Sequence, residues 1–215
     1  MVKIERSSKV PASLAIEKAK GTKNYREQDV IFQLNADFYG KCYLCEIDEL
    51  QSVQVEHLRA HHGTDRDRMF DWNNLFLCCP HCNNMKNKQI YEENILDCCQ
   101  VDPEKVLDQE LLADHVVVTA LADTEEAKIT AQLLTECFET RNTGIRVLEC
   151  QTRVNALKRT MIILYKALEA YKANKSEKNM RVLRAILDRR YKFAGFTRTY
   201  VRRHISEYPE LAWMV

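Results

Sequence analysis

The sequence predicts an α+β fold, mostly helical, in which a small metal-stapled element precedes a helical C-terminal region. Three observations carry this expectation. Two C-x-x-C pairs, Cys42-Tyr43-Leu44-Cys45 and Cys79-Pro80-His81-Cys82, flank an insert of 33 residues. Inside the insert, short alternating or apolar runs have the pattern of strands. After residue 124, apolar residues recur at the three-and-four spacing of helices.

Residues 1–24 read as an irregular lead containing Pro11, Gly21 and scattered lysines. Over residues 26–38, Val30, Ile31, Leu34 and Phe38 fall on one helical face, and Gly40 closes that helix. Residues 52–58 alternate polar and apolar side chains, the period of a half-buried strand, with Glu56 and His57 at its end. The stretch 59–72 is polar, carries Gly63 and the run Asp65-Arg66-Asp67-Arg68, and reads as a loop. Leu75-Phe76-Leu77-Cys78 is a second short strand. Pro80 suits the first position of a helix, where its missing N–H costs nothing, so a helix is expected from His81 to about Lys88. Downstream, 115–121 reads as a strand, with helices over 124–139, 145–171, 177–190 and 196–206. In the longest, Val147, Cys150, Val154, Leu157, Met161, Leu164, Leu168 and Tyr171 form an a/d seam, either the inside of a bundle or a partner interface. The expected organisation is a helical lead (1–39), the metal element (40–102), and a mostly helical region (103–215) that turns basic after residue 141.

With 215 residues, 46% hydrophobic and 29% charged, the chain has an ordinary globular composition. No apolar run approaches the ~20 residues that span a bilayer, and no apolar stretch follows Met1-Val2-Lys3-Ile4-Glu5-Arg6 as in a secretory leader. A cytoplasmic location without membrane contact is expected. Nine cysteines are an odd number, and four of them sit in C-x-x-C spacing, which favours metal thiolates in a reducing compartment over disulfides. Cys78, Cys98, Cys99, Cys137 and Cys150 are then small buried apolar side chains. Five glycines make no G-x-x-x-x-G-K-[ST] loop, so any ATP dependence has to come from a partner.

The net charge of +1 hides a polarity along the chain. Residues 103–140 hold 2 basic against 9 acidic side chains, whereas 141–215 hold 17 against 6. Acidic residues near a metal site suit hard divalent cations, and a basic tail suits phosphate contacts. Arg189, Arg190, Lys192, Arg198, Arg202 and Arg203, interleaved with Tyr191, Phe193, Phe196 and Tyr200, read as a nucleic-acid groove. The competing expectation buries the aromatics and leaves the arginines in solvent.

Four thiolates saturate a tetrahedral zinc and leave no open position for water. Cys42, Cys45, Cys79 and Cys82 are therefore expected to hold one structural Zn2+, with Cys78 and His81 as alternative ligands. A plain four-cysteine ribbon needs only about 15 to 20 residues between its pairs, so the longer insert calls for another use.

Residues 40–90 resemble the HNH endonucleases, whose ββα-metal element has the same order of strand, loop, strand and helix. The resemblance rests on Glu56-His57 for the acidic-His pair, Asn74-Leu75 for the central Asn-Leu, and Cys79-x-x-Cys82-Asn83-x-x-Lys86 for the closing motif. Over the whole chain, Lys3-Ile4-Glu5-Arg6, Gly40-Lys41-Cys42-Tyr43, Val55-Glu56-His57, Asp71-Trp72-Asn73-Asn74-Leu75 and Cys79-Pro80-His81-Cys82-Asn83-Asn84 are similar to the small HNH nucleases of Septu-type and retron-associated bacterial anti-phage systems. The resemblance implies a metal-dependent DNA endonuclease controlled by an ABC/SMC-like ATPase, sometimes beside a retron reverse transcriptase and its RNA–DNA product. In that reading His57 is the general base, because a neutral imidazole takes a proton near pH 7. Glu56 and Asn83 supply hard oxygen ligands to one catalytic Mg2+ or Mn2+. Asn74 pins the loop and orients His57, and Lys86 is either a phosphate contact or an exposed lysine. Glu replaces the commoner Asp before the histidine, and Asn the commoner final His. The alternatives are a non-catalytic zinc-knuckle module that binds nucleic acid, or a scaffold subunit of an ATPase complex.

Overall fold

The computed structural model describes residues 1–113, 115–139 and 147–215. Its first helix, α1 (Ala12–Ala19), forms within the segment expected to be irregular. The sequence ASLAIEKA consists mainly of good helix formers, Pro11 occupies the N-cap position, and Leu14 turns into the core. Helix α2 (Gln28–Asp37) buries Val30 and Leu34 as the periodicity requires. Tyr39 and Gly40, at φ 55° and 67°, then swing the chain out of the helix.

Strand β1 (Gln54–His57) pairs antiparallel with β2 (Leu75–Cys78), His57 opposite Leu75 and Glu56 opposite Phe76. Between them α3 (Arg66–Phe70) occupies part of the expected loop. Asp65 caps it, accepting the Arg68 N–H at 2.9 Å, and Met69 and Phe70 are buried. Helix α4 (Pro80–Lys86) begins at Pro80 and packs on β1.

The C-terminal region is more than a helical bundle. A hairpin of β3 (Leu107–Leu112) and β4 (His115–Ala120) precedes α5 (Glu125–Phe138), α6 (Val147–Ala173), α7 (Glu177–Leu187) and α8 (Ala194–Arg203). Strand β3 was not expected, since Asp108, Gln109 and Glu110 are poor strand formers. Tertiary partners override that preference: Leu107 and Gln109 are buried, while Asp108 and Glu110 bond Arg203. Thr124 and Ser176 cap α5 and α7. Residues 145–146, where the longest helix was expected to begin, lie outside the described residues. Its seam from Cys150 to Tyr171 is buried, and α6 packs on α5, α7 and α8, so the seam faces the protein's own interior.

One continuous core runs from Met1 to Leu211, so the three expected segments share an interior. The Met1 ammonium lies 2.7 Å from Glu46, with both groups buried. Among the described residues, no helix is long and apolar enough to cross a membrane.

The charge polarity resolves within the molecule. Glu104 receives Arg198 at 2.6 Å, Arg189 at 2.8 Å and Arg202 at 2.5 Å. Arg189 also reaches Asp102 at 2.8 Å, Arg203 reaches Asp108 at 2.8 Å, and Lys192 reaches Asp48 at 3.3 Å. Four arginines of the basic tail thus meet the carboxylates of Asp102, Glu104, Asp108 and Glu110. This corrects the expected groove at its centre: Arg198 is buried, and Phe193 and Phe196 pack beside Phe138 in the core. Arg190 remains exposed, its guanidinium over the Tyr39 ring.

Burial pushes the Glu104 carboxyl upward, but the arginines overcome this and hold it below its ordinary 4.5. Its stabilising contribution is therefore complete above about pH 4.5 and lost as the pH falls below that value. Glu104→Gln leaves the buried Arg198 without its counter-charge and should destabilise the protein by about 3 kcal/mol. Urea unfolding at pH 7 checks this; a loss under about 1 kcal/mol, the scale of a surface ion pair, would contradict the cluster's structural role.

Candidate metal centre and adjoining cleft

The first cysteine pair is held by backbone hydrogen bonds. Cys42 N–H donates to Ile47 O at 3.1 Å, Glu46 N–H to Cys42 O at 2.9 Å, and Tyr43 N–H to Leu77 O at 3.0 Å. The last of these fastens the knuckle to β2. The second pair opens α4, with Cys79 as N-cap residue and its Sγ accepting the Cys82 N–H at 3.4 Å. The ligand atoms of Cys42, Cys45, Cys79 and Cys82 all lie within 4.8 Å of one another, and all four residues are buried. Zinc–sulfur bonds of about 2.3 Å set tetrahedron edges of about 3.8 Å. The Cys45–Cys79 separation of 3.9 Å matches that edge, so the four are placed to hold one metal ion such as zinc.

Burial pushes the Cys42, Cys45 and Cys82 thiols well upward, whereas hydrogen bonds from those three drive Cys79 down. A dication among the four sulfurs would favour the thiolate form of all of them and displace their protons. Cys78 lies outside the quartet although its Sγ is 3.8 Å from that of Cys42. His81 turns away, its ring nitrogens at Glu149 (2.9 Å) and the Cys137 carbonyl (3.0 Å). Among the other cysteines, Cys98, Cys137 and Cys150 are buried, as is Cys78, and Cys99 is half-buried.

Sequence reasoning missed Arg153. This buried side chain on α6 donates from Nη2 to Cys79 Sγ at 3.1 Å and from Nη1 to Glu149 O at 2.8 Å. A zinc tetrathiolate carries two net negative charges, and a guanidinium at one sulfur offsets part of that charge in the low-dielectric interior. A lone arginine in a helical seam carries no sequence signal for such a role.

Beside the knuckle, β1, α4, the loop 60–63 and the segment before α2 surround an open polar cleft of about 630 Å³. Glu56, His57, Asn83 and Lys86 all line it, so the structure brings these sequence candidates together. His57 is held on three sides. Its Nε2–H donates to the Met69 carbonyl at 3.0 Å, and its ring meets those of Tyr25 at 4.4 Å and His61 at 4.3 Å. Because a carbonyl only accepts, this bond assigns the proton to Nε2 and leaves Nδ1 as the acceptor. Burial lowers the His57 pKa to about 4, with His61, Lys86 and Arg26 adding like-charge repulsion. The imidazole is therefore neutral at pH 7.

Glu56 is more constrained than the sequence suggests. Tyr43 Oη–H donates to its Oε2 at 3.0 Å, and Lys86 Nζ sits 3.0 Å from its Oε1. Lys86 also donates to the His57 carbonyl at 2.9 Å. Lys86 is buried, which corrects the exposed-lysine alternative; its ammonium lies where it compensates the Glu56 charge. Burial raises the Glu56 pKa, opposed by Lys86 and Tyr43. Asn83, half-buried, reaches the cleft from the first turns of α4.

Asn74 lies beneath the loop rather than in the cleft. Its amide accepts the Arg59 N–H at 2.7 Å and donates to Arg59 O at 2.9 Å and Arg68 O at 3.0 Å. It thereby clamps both ends of the loop 59–68 and places the Met69 carbonyl that orients His57; it does not bond the imidazole itself. His61 and Tyr25, both missed, complete the cleft wall. His62 and Gly63 adopt left-handed φ of 48° and 73°, which lets the Gly63 N–H donate to His61 Nδ1 at 3.0 Å.

Arg153→Ala is expected to retain zinc but release it to a chelator about tenfold faster, the scale of a lost outer-shell partner. A colorimetric zinc-release assay checks this, with Cys82→Ala, expected to hold none, as reference. Glu56→Gln alone should cost about 3 kcal/mol by stranding the Lys86 charge, and Glu56→Gln with Lys86→Met should recover most of it. Additive losses in urea titrations would contradict the pairing. No protein-family model, curated protein or solved structure matches the chain.

Proposed function

We propose that the protein is a metal-dependent endonuclease of the HNH type that hydrolyses phosphodiester bonds in DNA. The observation that carries this reading is His57: a neutral histidine with Nε2 locked by the Met69 carbonyl, lining a polar cleft together with Glu56 and Asn83. Hydrolysis requires a deprotonated water in line with the leaving oxygen and positive charge on the scissile phosphate. His57 Nδ1 takes the water's proton. A pKa near 4 keeps that base unprotonated at neutral pH while weakening it. Glu56 and Asn83 offer one carboxylate and one amide oxygen, donors that suit Mg2+ or Mn2+. When bound, such an ion supplies charge neutralisation on phosphorus. Lys86 has to share or yield Glu56 to it. The buried thiols do different work, since a four-sulfur site has no open coordination position and serves as frame.

The motif resemblance supports a place as nuclease effector in a bacterial anti-phage system, with an ABC/SMC-like ATPase as controlling partner and, in retron settings, a reverse transcriptase with its RNA–DNA product. The Glu56–Lys86 pair favours a second reading, a zinc-knuckle module that binds nucleic acid without cutting it, because both carboxylate oxygens are already engaged. A plasmid assay separates the two. Wild type with Mg2+ or Mn2+, assayed with and without whatever ATPase is encoded beside it, should nick or linearise DNA. His57→Ala should retain zinc and fold while losing at least about 100-fold in rate, the scale of a lost general base. Unchanged cleavage by His57→Ala removes the assigned base; DNA retention with no cleavage by wild type favours the binding module.

A further inference from the structure

Arg189, Arg198, Arg202 and Arg203 are engaged by carboxylates, which leaves open where a nucleic-acid backbone would be held. The segment before α2 answers with geometry. Tyr25 packs edge-on against His57 at 4.4 Å and lies 6.0 Å from His61, fixing this stretch to the cleft wall. Arg26 also lines the cleft, its guanidinium 5.3 Å from the Tyr25 ring centre. Lys23 stands close enough to His61, and Arg26 to His57, for each cation to disfavour protonation of its neighbour.

The stretch is ordered by its own hydrogen bonds. Arg66 Nη1 donates to Thr22 O at 2.9 Å, the Asn24 N–H to Thr22 Oγ1 at 3.2 Å, and the Arg26 N–H to Asn24 Oδ1 at 3.2 Å. Three neighbouring cations are neutralised, Lys18 by Asp67 at 2.6 Å, Lys20 by Glu17 at 2.7 Å, and Arg68 by Glu93, while Arg66 is spent on the Thr22 and Lys18 carbonyls. Lys23 and Arg26 are exposed and pair with no carboxylate among the described residues. Two unpaired cations on the rim of a cleft whose histidines His57 and His61 are kept neutral leave positive charge there for an anion to meet.

We propose that Lys23 and Arg26, presented by the ordered segment 22–26, grip the phosphodiester backbone of DNA at the cleft mouth, next to the bond facing His57. This rests on the nuclease reading of the cleft and replaces the C-terminal arginines as the main phosphate contacts. Each cation that neutralises a phosphate releases counterions and steepens the salt dependence of binding.

The test uses the full chain with zinc bound and no added Mg2+ or Mn2+, so that no cutting occurs, titrated against fluorescein-labelled duplex and single-stranded DNA by anisotropy over a salt series. Lys23→Ala with Arg26→Ala should weaken binding at least tenfold and flatten the slope of log K against log salt by about 1.8, or 0.9 per lost contact. Lys166→Ala with Lys178→Ala, an equal charge loss on exposed helical surface, should stay within twofold. The two labelled DNAs show whether the grip takes duplex or single strands. If the parent binds DNA and the Lys23/Arg26 variant binds equally well, or the control loses as much, the grip is overturned while the nuclease reading stands. A parent that binds neither DNA overturns both.

Discussion

Cys42 and Cys45 come from the turn after α2, Cys79 and Cys82 from the start of α4, and all four sulfurs converge within 4.8 Å. This convergence ties the chain before β1 to the start of α4 within the shared core, and an ion bound there would add its binding free energy to that of folding. It sets where Asn83 stands, one residue past Cys82, and how α4 presents Lys86 to Glu56. Arg153 extends the constraint into the helical half, so the cysteine cluster joins two regions that the sequence treats separately. The cleft takes its shape from this frame, although none of its chemistry is sulfur chemistry.

Around that frame, charge is settled in two ways. In the C-terminal half opposite charges meet internally, with Glu104 gathering three arginines and the β3 edge gathering Arg203. At the cleft, compensation is local and partial. Glu56 is balanced by Lys86, His57 is kept neutral by burial, and Lys23 and Arg26 are left facing outward. An uncharged histidine with two unpaired cations on the rim suits the anionic ligand that the proposed function requires.

Much of this was legible in the sequence where a residue's local pattern decides its place. The two cysteine pairs, the alternation at 52–58, the apolar run at 75–78 and Pro80 located two strands and a helix to within a few residues. The resemblance assigns Asn74 to pinning the loop and orienting His57; its amide makes three backbone hydrogen bonds to Arg59 and Arg68 and none to the imidazole. What was not legible depended on partners far along the chain. Strand β3 contradicts its own propensities because Gln109 packs near Met1 and Asp108 meets Arg203. Arg153, His61 and Tyr25 bear no motif, and only the fold brings them to the cysteines and to His57. The basic tail looked like a groove because composition reports charge without reporting its counter-charge.

The central claim is a division of labour between sulfur and oxygen donors, and anomalous diffraction tests it directly. Crystals of the zinc-loaded protein soaked in Mn2+ would be measured at the zinc and manganese absorption edges. The account predicts zinc among the four sulfurs of Cys42, Cys45, Cys79 and Cys82, and a separate manganese peak in the cleft between Glu56 and Asn83, facing His57. Manganese confined to other surfaces, or zinc bound by the cleft donors instead of the cysteines, would contradict it.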